Sequence, residues 1–167
     1  IATDNVVINA GNTVLVDSSA DVNNITLTGG TLNIGSGNAL TIKGDLIQGG
    51  TFNILSNATS NGSLIVKGNA TGNNTYLRYL TTNWHLIASP IEGQSINGLS
   101  SQVATSGLKY GIAPYKNNLV SDSRWDYYTT NPGTNNILTA GNFTKAKGYS
   151  IQKSTIAGTI NFTGTLN

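Results

Sequence analysis

The sequence predicts an all-β chain in which a short right-handed parallel β-solenoid of about three coils is capped by an antiparallel β-sandwich or jelly-roll-like domain. Two observations lead to this prediction. Nearly half of the 167 residues are Asn (23), Thr (22), Ser (15) or Gly (20), which form helices poorly, whereas Val, Ile and Leu are frequent and suit strands. In addition, the first half repeats itself at an interval typical of β-solenoids.

The repeat has a period of 20 to 24 residues. Residues 29–34 (GGTLNI) return at 49–54 (GGTFNI), and residues 38–45 return at 62–69 with about four residues inserted around 57–60. A partial earlier copy lies at 11–16. Glycine pairs mark the corners between strands, where a positive φ is favourable. An antiparallel meander is the alternative interpretation, and the twenty-residue register favours the solenoid.

Apolar residues at every second position predict which side chains point into the solenoid. Each coil then carries three short strands, and the inward residues of one coil stack on those of the next. The predicted stacks are Leu32 on Phe52, Ile34 on Ile54, Leu40 on Leu64, Ile42 on Val66, and Leu27 with Ile47.

A change in composition near residue 75 divides the chain into a solenoid at 1–75 and a second β-domain at 76–167. Eleven of the twelve aromatic residues and all three prolines lie in the second part. The candidate strands there are 75–80, 84–88, 109–113, 124–129, 148–153 and 157–163, and residues 95–103 could hold one short helix. Six strands joined by irregular loops predict an antiparallel sandwich that caps the last coil.

The composition also argues against several classes of protein. No cysteine is present, so the chain has neither disulfides nor a thiolate zinc site. No apolar run approaches the roughly 20 residues that cross a bilayer, and the lysines are scattered rather than clustered. We therefore expect no membrane insertion and no nucleic-acid partner. The lack of any methionine indicates a processed form or an excised piece.

Eight short segments carry a family resemblance. They are SLIV at 63–66, ATG at 70–72 with YLRY at 76–79, WHLIASP at 84–90, GIAPY at 111–115, WDYY at 125–128, KGYS at 147–150 and GTINFTGTL at 158–166. In this order they resemble the C-terminal region of large secreted, adhesin-like proteins of Bacteroidota, mainly flavobacteria, which often precedes a type IX secretion sorting signal. The resemblance implies an extracellular or cell-surface location and a role in adhesion or surface structure. It implies no catalytic residue.

The aromatic run at 124–128 supplies candidate ligand-binding residues. Planar rings flanked by polar groups can stack on sugar rings, so Tyr115, Trp125, Tyr127 and Tyr128 are the candidate carbohydrate-facing residues. Strand alternation leaves two phases open. If Trp125 and Tyr127 point inward, Tyr128 is exposed, whereas the opposite phase buries Tyr128. Packing of these rings in the core is the plainer interpretation.

Patterns for catalysis or metal binding are weak. His85 is the only histidine, and no nucleophile or acid is marked as its partner in a triad. The single glutamate, Glu92, has no evident carboxylate partner for glycoside cleavage. Asp17 and Asp21 share a loop without the usual spacing of calcium ligands, so a structural calcium there is only a possibility. The sequence therefore predicts a protein that is not an enzyme and has no cofactor.

The first coil is expected to present an open edge. Val6, Ile8, Val14 and Val16 would form its apolar layer, with little charge nearby. Such an edge should be covered by further solenoid coils or by another copy of the chain. We expect a non-catalytic structural or adhesive module of a secreted surface protein that can assemble end to end. The alternative is a carbohydrate-binding module attached to a longer polysaccharide-active enzyme or adhesin, with glycans or other surface polymers as partners.

Overall fold

The computed structural model describes residues 4–133 and 135–166. Its first half consists of short strands separated by tight corners. In chain order these strands are β1 (Val6–Asn9), β2 (Thr13–Val16), β3 (Ala20–Val22), β4 (Ile25–Thr28), β5 (Thr31–Ile34), β6 (Ala39–Ile42), β7 (Leu46–Gln48), β8 (Thr51–Ile54), β9 (Ser63–Val66), β10 (Ala70–Thr71) and β11 (Asn74–Leu80).

Three parallel sheets form the three faces of a β-solenoid. Their strand orders are β1-β4-β7-β10, β2-β5-β8-β11 and β3-β6-β9. Each strand therefore pairs with the equivalent strand one coil later, and the chain makes about four turns, of which the last is incomplete. The predicted fold class is confirmed, but the solenoid has about four turns where about three coils were predicted.

The coil-to-coil register follows the predicted alternation on two of the three faces. Ile34 lies opposite Ile54, and Leu40 lies opposite Leu64, with both pairs pointing toward the solenoid core. The stack predicted for the third face is wrong. Leu46 is fully buried and Ile47 is 54% exposed. Because two apolar residues are adjacent there, alternation alone does not decide which of them points inward.

A ladder of polar side chains supports one corner of the solenoid. The Asn24 amide donates to the Asn5 side-chain oxygen over 2.8 Å, and the Asn24 oxygen accepts the Asp45 backbone N–H at 2.7 Å. One coil later the Asp45 carboxylate accepts the Asn69 N–H at 2.7 Å. These bonds satisfy backbone donors at a corner, where the sheet ladder is interrupted.

The second half contains shorter and less regular elements. Its strands are β12 (Trp84–Ile87), β13 (Ile91–Glu92), β14 (Thr105–Ser106), β15 (Lys109–Tyr110), β16 (Ile112–Pro114), β17 (Tyr149–Gln152) and β18 (Gly158–Leu166). Single 3-10 turns lie at Asn97–Leu99, Ser121–Ser123 and Ile137–Thr139. The helix predicted within 95–103 is therefore one 3-10 turn.

Strand β11 joins the two halves. It pairs in parallel with β8 on one side and antiparallel with β18 along all of its seven residues on the other. The predicted boundary between residues 75 and 76 consequently falls inside a strand. Ile160 and Phe162 of β18 share a buried core with Tyr149 and Ile151 of the antiparallel sheet β12-β17-β16. The cap is thus a second layer packed against the extended solenoid sheet.

The strand predicted at 124–129 is an irregular extended segment. The Asp126 N–H donates to the Pro114 carbonyl and the Tyr128 N–H to the Ile112 carbonyl, each at 3.1 Å. The Tyr110 N–H donates to the Tyr128 carbonyl at 2.8 Å, which belongs to a register shifted by two residues. Because the two registers do not match, a continuous ladder does not form.

Candidate ligand-binding cleft

An open cleft of about 570 Å³ is formed by the irregular segment 124–130, by residues of the preceding stretch 109–123 and by Asn135. Its walls combine aromatic, cationic, acidic and amide side chains. The lining residues are Lys109, Lys116, Leu119, Ser123, Trp125, Asp126, Tyr127, Thr129 and Asn135. Two aromatic rings, those of Trp125 and Tyr127, thus stand among mainly polar side chains, a lining that can contact a polar ligand.

Two edge-to-face aromatic pairs brace the cleft. The rings of Tyr115 and Trp125 are 5.0 Å apart at 66°, and those of Trp84 and Tyr127 are 5.6 Å apart at 62°. Tyr115 and Trp84 are 40% and 46% exposed, whereas Trp125 and Tyr127 are half-buried. Such pairs contribute about 0.5–1.5 kcal/mol of stability beyond the free energy gained by burying the rings. The two cleft rings are therefore held in place while part of each remains accessible.

Polar contacts fix the groups around Trp125. The ammonium of Lys116 forms an ion pair with the Asp126 carboxylate. The Asn135 side chain donates to the backbone carbonyl of Asp126 at 3.0 Å. The Arg124 guanidinium donates to the Tyr115 hydroxyl at 3.2 Å. An ammonium, a carboxylate and an amide thus lie together beside an indole ring.

A second, smaller hollow adjoins the cleft. Its volume is about 160 Å³, and it shares Lys109 and Tyr127 with the cleft. Its other lining residues are Trp84, Ala104, Thr105, Ser106, Tyr110, Gly111 and Gln152. The Lys109 ammonium lies 5.6 Å from the centre of the Tyr127 ring. These two side chains form a ridge between the two hollows.

Tyr128 does not face the cleft. It is only 8% exposed and belongs to the core of the second half, so the phase that buries Tyr128 is the observed one. The expectation of a carbohydrate-facing Tyr128 is therefore wrong. Burial is the main cause that raises the pKa of its hydroxyl to about 12, with smaller contributions from Tyr149 and Asp126. The other three candidates, Tyr115, Trp125 and Tyr127, lie together at or beside the cleft.

The first-coil residues occupy the N-terminal layer of the solenoid. Ile8 is buried, Val6 and Val16 are half-buried, and Val14 is 39% exposed. Val14 pairs with Leu32 on the next coil. Among the described residues, no strand pairs with the other edge of β1, β2 or β3.

The remaining candidates have local partners. The His85 Nε2 lies 2.9 Å from the Thr81 hydroxyl, and Glu92 pairs with Lys145 at 2.8 Å. Asp21 pairs with Lys43 at 3.1 Å. The hydrogen bond from Lys43, followed by its positive charge, lowers the pKa of the Asp21 carboxyl. Among the side chains that the structure describes, no group of three or more His, Cys, Asp or Glu is placed to hold a metal ion.

The sequence singled out only Trp125 and Tyr127 as ligand-facing among the lining residues, and it missed Trp84, Lys109, Lys116 and Asn135 in particular. Trp84 reaches Tyr127 only through the pairing of β12 with β17 and of β17 with β16. No local pattern marks that contact. Asn135 has a positive φ of 46°, a conformation in which Asn is enriched, and it follows the turn signal at 131–133. That signal could have pointed to Asn135.

No helix in the described part of the chain has the length and apolar character needed to cross a membrane. Comparison of the chain with protein-family models, with curated proteins and with solved structures finds no match.

Proposed function

We propose that the chain is a non-catalytic structural and adhesive module of an extracellular or cell-surface protein. The observation that carries the proposal is the six-stranded sheet β13-β18-β11-β8-β5-β2, which runs from the first coil into the cap. Strand β11 pairs with a strand of each half, β8 and β18. Such a continuous sheet suits a stiff spacer, because no linker separates the solenoid from the cap.

Attachment of coated beads tests the adhesive role. Beads carrying the chain would be washed over surfaces coated with bacterial exopolysaccharide or host matrix, and the retained fraction would be counted under flow. We expect retention above that of beads carrying an unrelated β-protein of similar charge. Retention equal to that control on every surface would refute adhesion.

The open first coil is the proposed contact for a second copy. At the other end of the solenoid, β18 already occupies the position beyond β11 on one face. The first coil of another copy therefore meets an obstruction there, and cannot extend all three sheets. Contact between two first coils avoids the obstruction, and a two-fold contact closes as a dimer rather than a filament.

Sedimentation velocity over a range of concentrations tests this contact. We expect a monomer–dimer equilibrium that Val14→Lys shifts toward monomer, because Val14 lies at the open end of the core column. Val7→Lys adds the same charge to an outward position that is already 59% exposed, and it should leave the equilibrium unchanged. A monomer at every concentration would exclude the assembly.

Carbohydrate binding is the second candidate function, as part of an adhesin or of a longer polysaccharide-active enzyme. The observation in its favour is the cleft with a half-exposed Trp125 beside the Lys116–Asp126 pair. An indole face can pack on the C–H face of a sugar, while the carboxylate and ammonium bond its hydroxyl groups. A glycan array should show binding that Trp125→Ala abolishes and Trp125→Phe partly retains. An array without any bound glycan would exclude this function.

A further inference from the structure

We propose that the cleft and the adjoining hollow bind consecutive residues of an anionic polysaccharide, and that Lys109 recognises its acidic group. This inference rests on the proposed carbohydrate-binding function and specifies the class of glycan. The two hollows share a wall, formed by Lys109 and Tyr127. A polymer lying across both hollows must therefore pass over the Lys109 ammonium.

Lys109 differs from the other lysine of the cleft in its partners. Lys116 is engaged by the Asp126 carboxylate. Among the side chains that the structure describes, no carboxylate forms an ion pair with Lys109, which is exposed and lies over the Tyr127 ring. An exposed ammonium over a fixed aromatic ring can donate hydrogen bonds to a carboxylate or sulfate of a ligand, because it does not first have to leave a carboxylate of the protein.

The hollows provide surfaces for the neutral parts of such a polymer. Trp125 lies in the larger hollow and Trp84 in the smaller one, so each hollow contains an indole ring that can pack on a sugar. Hydroxyl and amide groups from Ser106, Thr105 and Gln152 line the smaller hollow. The combination of stacking surfaces with one central cation matches a repeating sugar that carries a negative charge.

The distribution of charge along the chain agrees with an anionic ligand for the cap. Residues 76–167 contain seven lysines and arginines but three acidic residues, whereas residues 1–75 contain two lysines and four aspartates. The formal charge of +2 for the whole chain is thus the sum of a net positive cap and a net negative solenoid. Long-range attraction would bring an acidic polymer toward the cap and would weaken with salt.

Isothermal titration of the full chain with three defined polymers tests the inference. The probes are alginate oligosaccharides, which carry carboxylates, dextran sulfate, which carries sulfates, and neutral dextran. We expect alginate or dextran sulfate to bind, and neutral dextran to bind at least tenfold more weakly. Lys109→Gln should weaken binding of the charged polymer about tenfold or more, as loss of a charge-assisted hydrogen bond does. Lys109→Arg should retain most of the affinity.

Lys147→Gln is the matched control, because it removes the same charge from a cap lysine that also lies over a tyrosine ring, Tyr149, but is outside both hollows. Equal losses for Lys109→Gln and Lys147→Gln would show attraction by net charge alone and would overturn the inference. Binding of neutral dextran that equals binding of the charged polymers would overturn it too, but would leave carbohydrate binding intact. If Trp125→Ala changes no titration, the cleft is not the site and both proposals fail. Thermal unfolding of each variant would verify that it is folded.

Discussion

Replacing Ile54 with Ala tests the inside–outside assignment of the solenoid. Ile54 is 3% exposed and lies between Ile34 one coil earlier and Tyr76 in β11. The substitution removes three carbon atoms from the core, which at about 0.8 kcal/mol each corresponds to roughly 2.4 kcal/mol of lost transfer free energy. Because Ile34 and Tyr76 hold the core on both sides, the core cannot close around the smaller side chain, and the cavity that remains costs further free energy. We expect the free energy of unfolding to fall by about 3–4 kcal/mol.

Asn53→Ala is the matched change on the outer surface. The Asn53 amide donates to the Asn33 side-chain oxygen on the adjacent coil at 2.8 Å. A partly buried hydrogen bond between neutral groups contributes about 1 kcal/mol, so we expect a loss of that size. Ile54→Val, which leaves most of the core contacts in place, should cost about 0.5–1.5 kcal/mol.

Urea unfolding followed by circular dichroism would measure the three losses. The midpoint should shift while the slope of the free energy against urea stays constant, which shows that stability alone has changed. Equal losses for Ile54→Ala and Asn53→Ala would refute the assignment of one residue to the core and the other to the surface.

Two other variants test the cap and the corners. Because burial raises the Tyr128 pKa to about 12, ionisation favours the unfolded chain above pH 10, where an exposed tyrosine titrates. Below pH 10 this ionisation costs no stability, and at pH 12 it has lowered the free energy of unfolding by about 2 kcal/mol. In urea unfolding, the wild type should therefore lose more stability than Tyr128→Phe between pH 10 and pH 12. A constant difference between the two proteins would contradict this. At Gly50, a Cβ would lie 2.1 Å from the Gly30 carbonyl oxygen, so Gly50→Ala should lower the melting temperature by several degrees. Gly148→Ala, where a Cβ meets no atom within 4 Å, should not, and equal melting temperatures would count against close packing at the corner.

The solenoid register could be predicted because each strand stacks in register on the equivalent strand of the next coil, so the same sequence pattern recurs in each coil. Thr31, Leu32 and Asn33 pair with the residues twenty positions later, as the repeat requires. Inward and outward positions then follow from strand alternation. The predicted inward residue was wrong at Leu46 and Ile47, because either of two adjacent apolar residues can be the one that points inward.

The polar ladder at the corner was beyond prediction for a different reason. Asn24 and Asp45 precede equivalent strands, but one is an amide and the other a carboxylate, and both use an oxygen to accept the next coil's N–H. Sequence comparison treats the two residues as different. In the structure both side chains supply the acceptor that the backbone N–H at this corner needs.

The cleft could be predicted only in part. The run at 124–128 identified Trp125 and Tyr127 because aromatic residues concentrate there, but it did not show which face of the segment is buried. That choice depends on hydrogen bonds to Pro114 and Ile112, which lie in strand β16. Trp84 is separated from Tyr127 by 43 residues and meets it across the sheet. Antiparallel pairing between unlike strands leaves no repeat from which such a contact can be inferred.

Strand β11 explains why a repeating solenoid can end in a non-repeating cap. On one side it meets the requirements of the solenoid, since Tyr76 follows Ile54 in the inward column. On the other side it accepts β18, whose opposite direction ends the parallel register. Tyr76 packs against both hydrophobic cores, and so does Leu166 at the end of β18. Because β11 has one parallel and one antiparallel neighbour, the edge of the solenoid sheet is paired with strand β18 of the cap. The cap therefore prevents a further parallel coil from adding at that face.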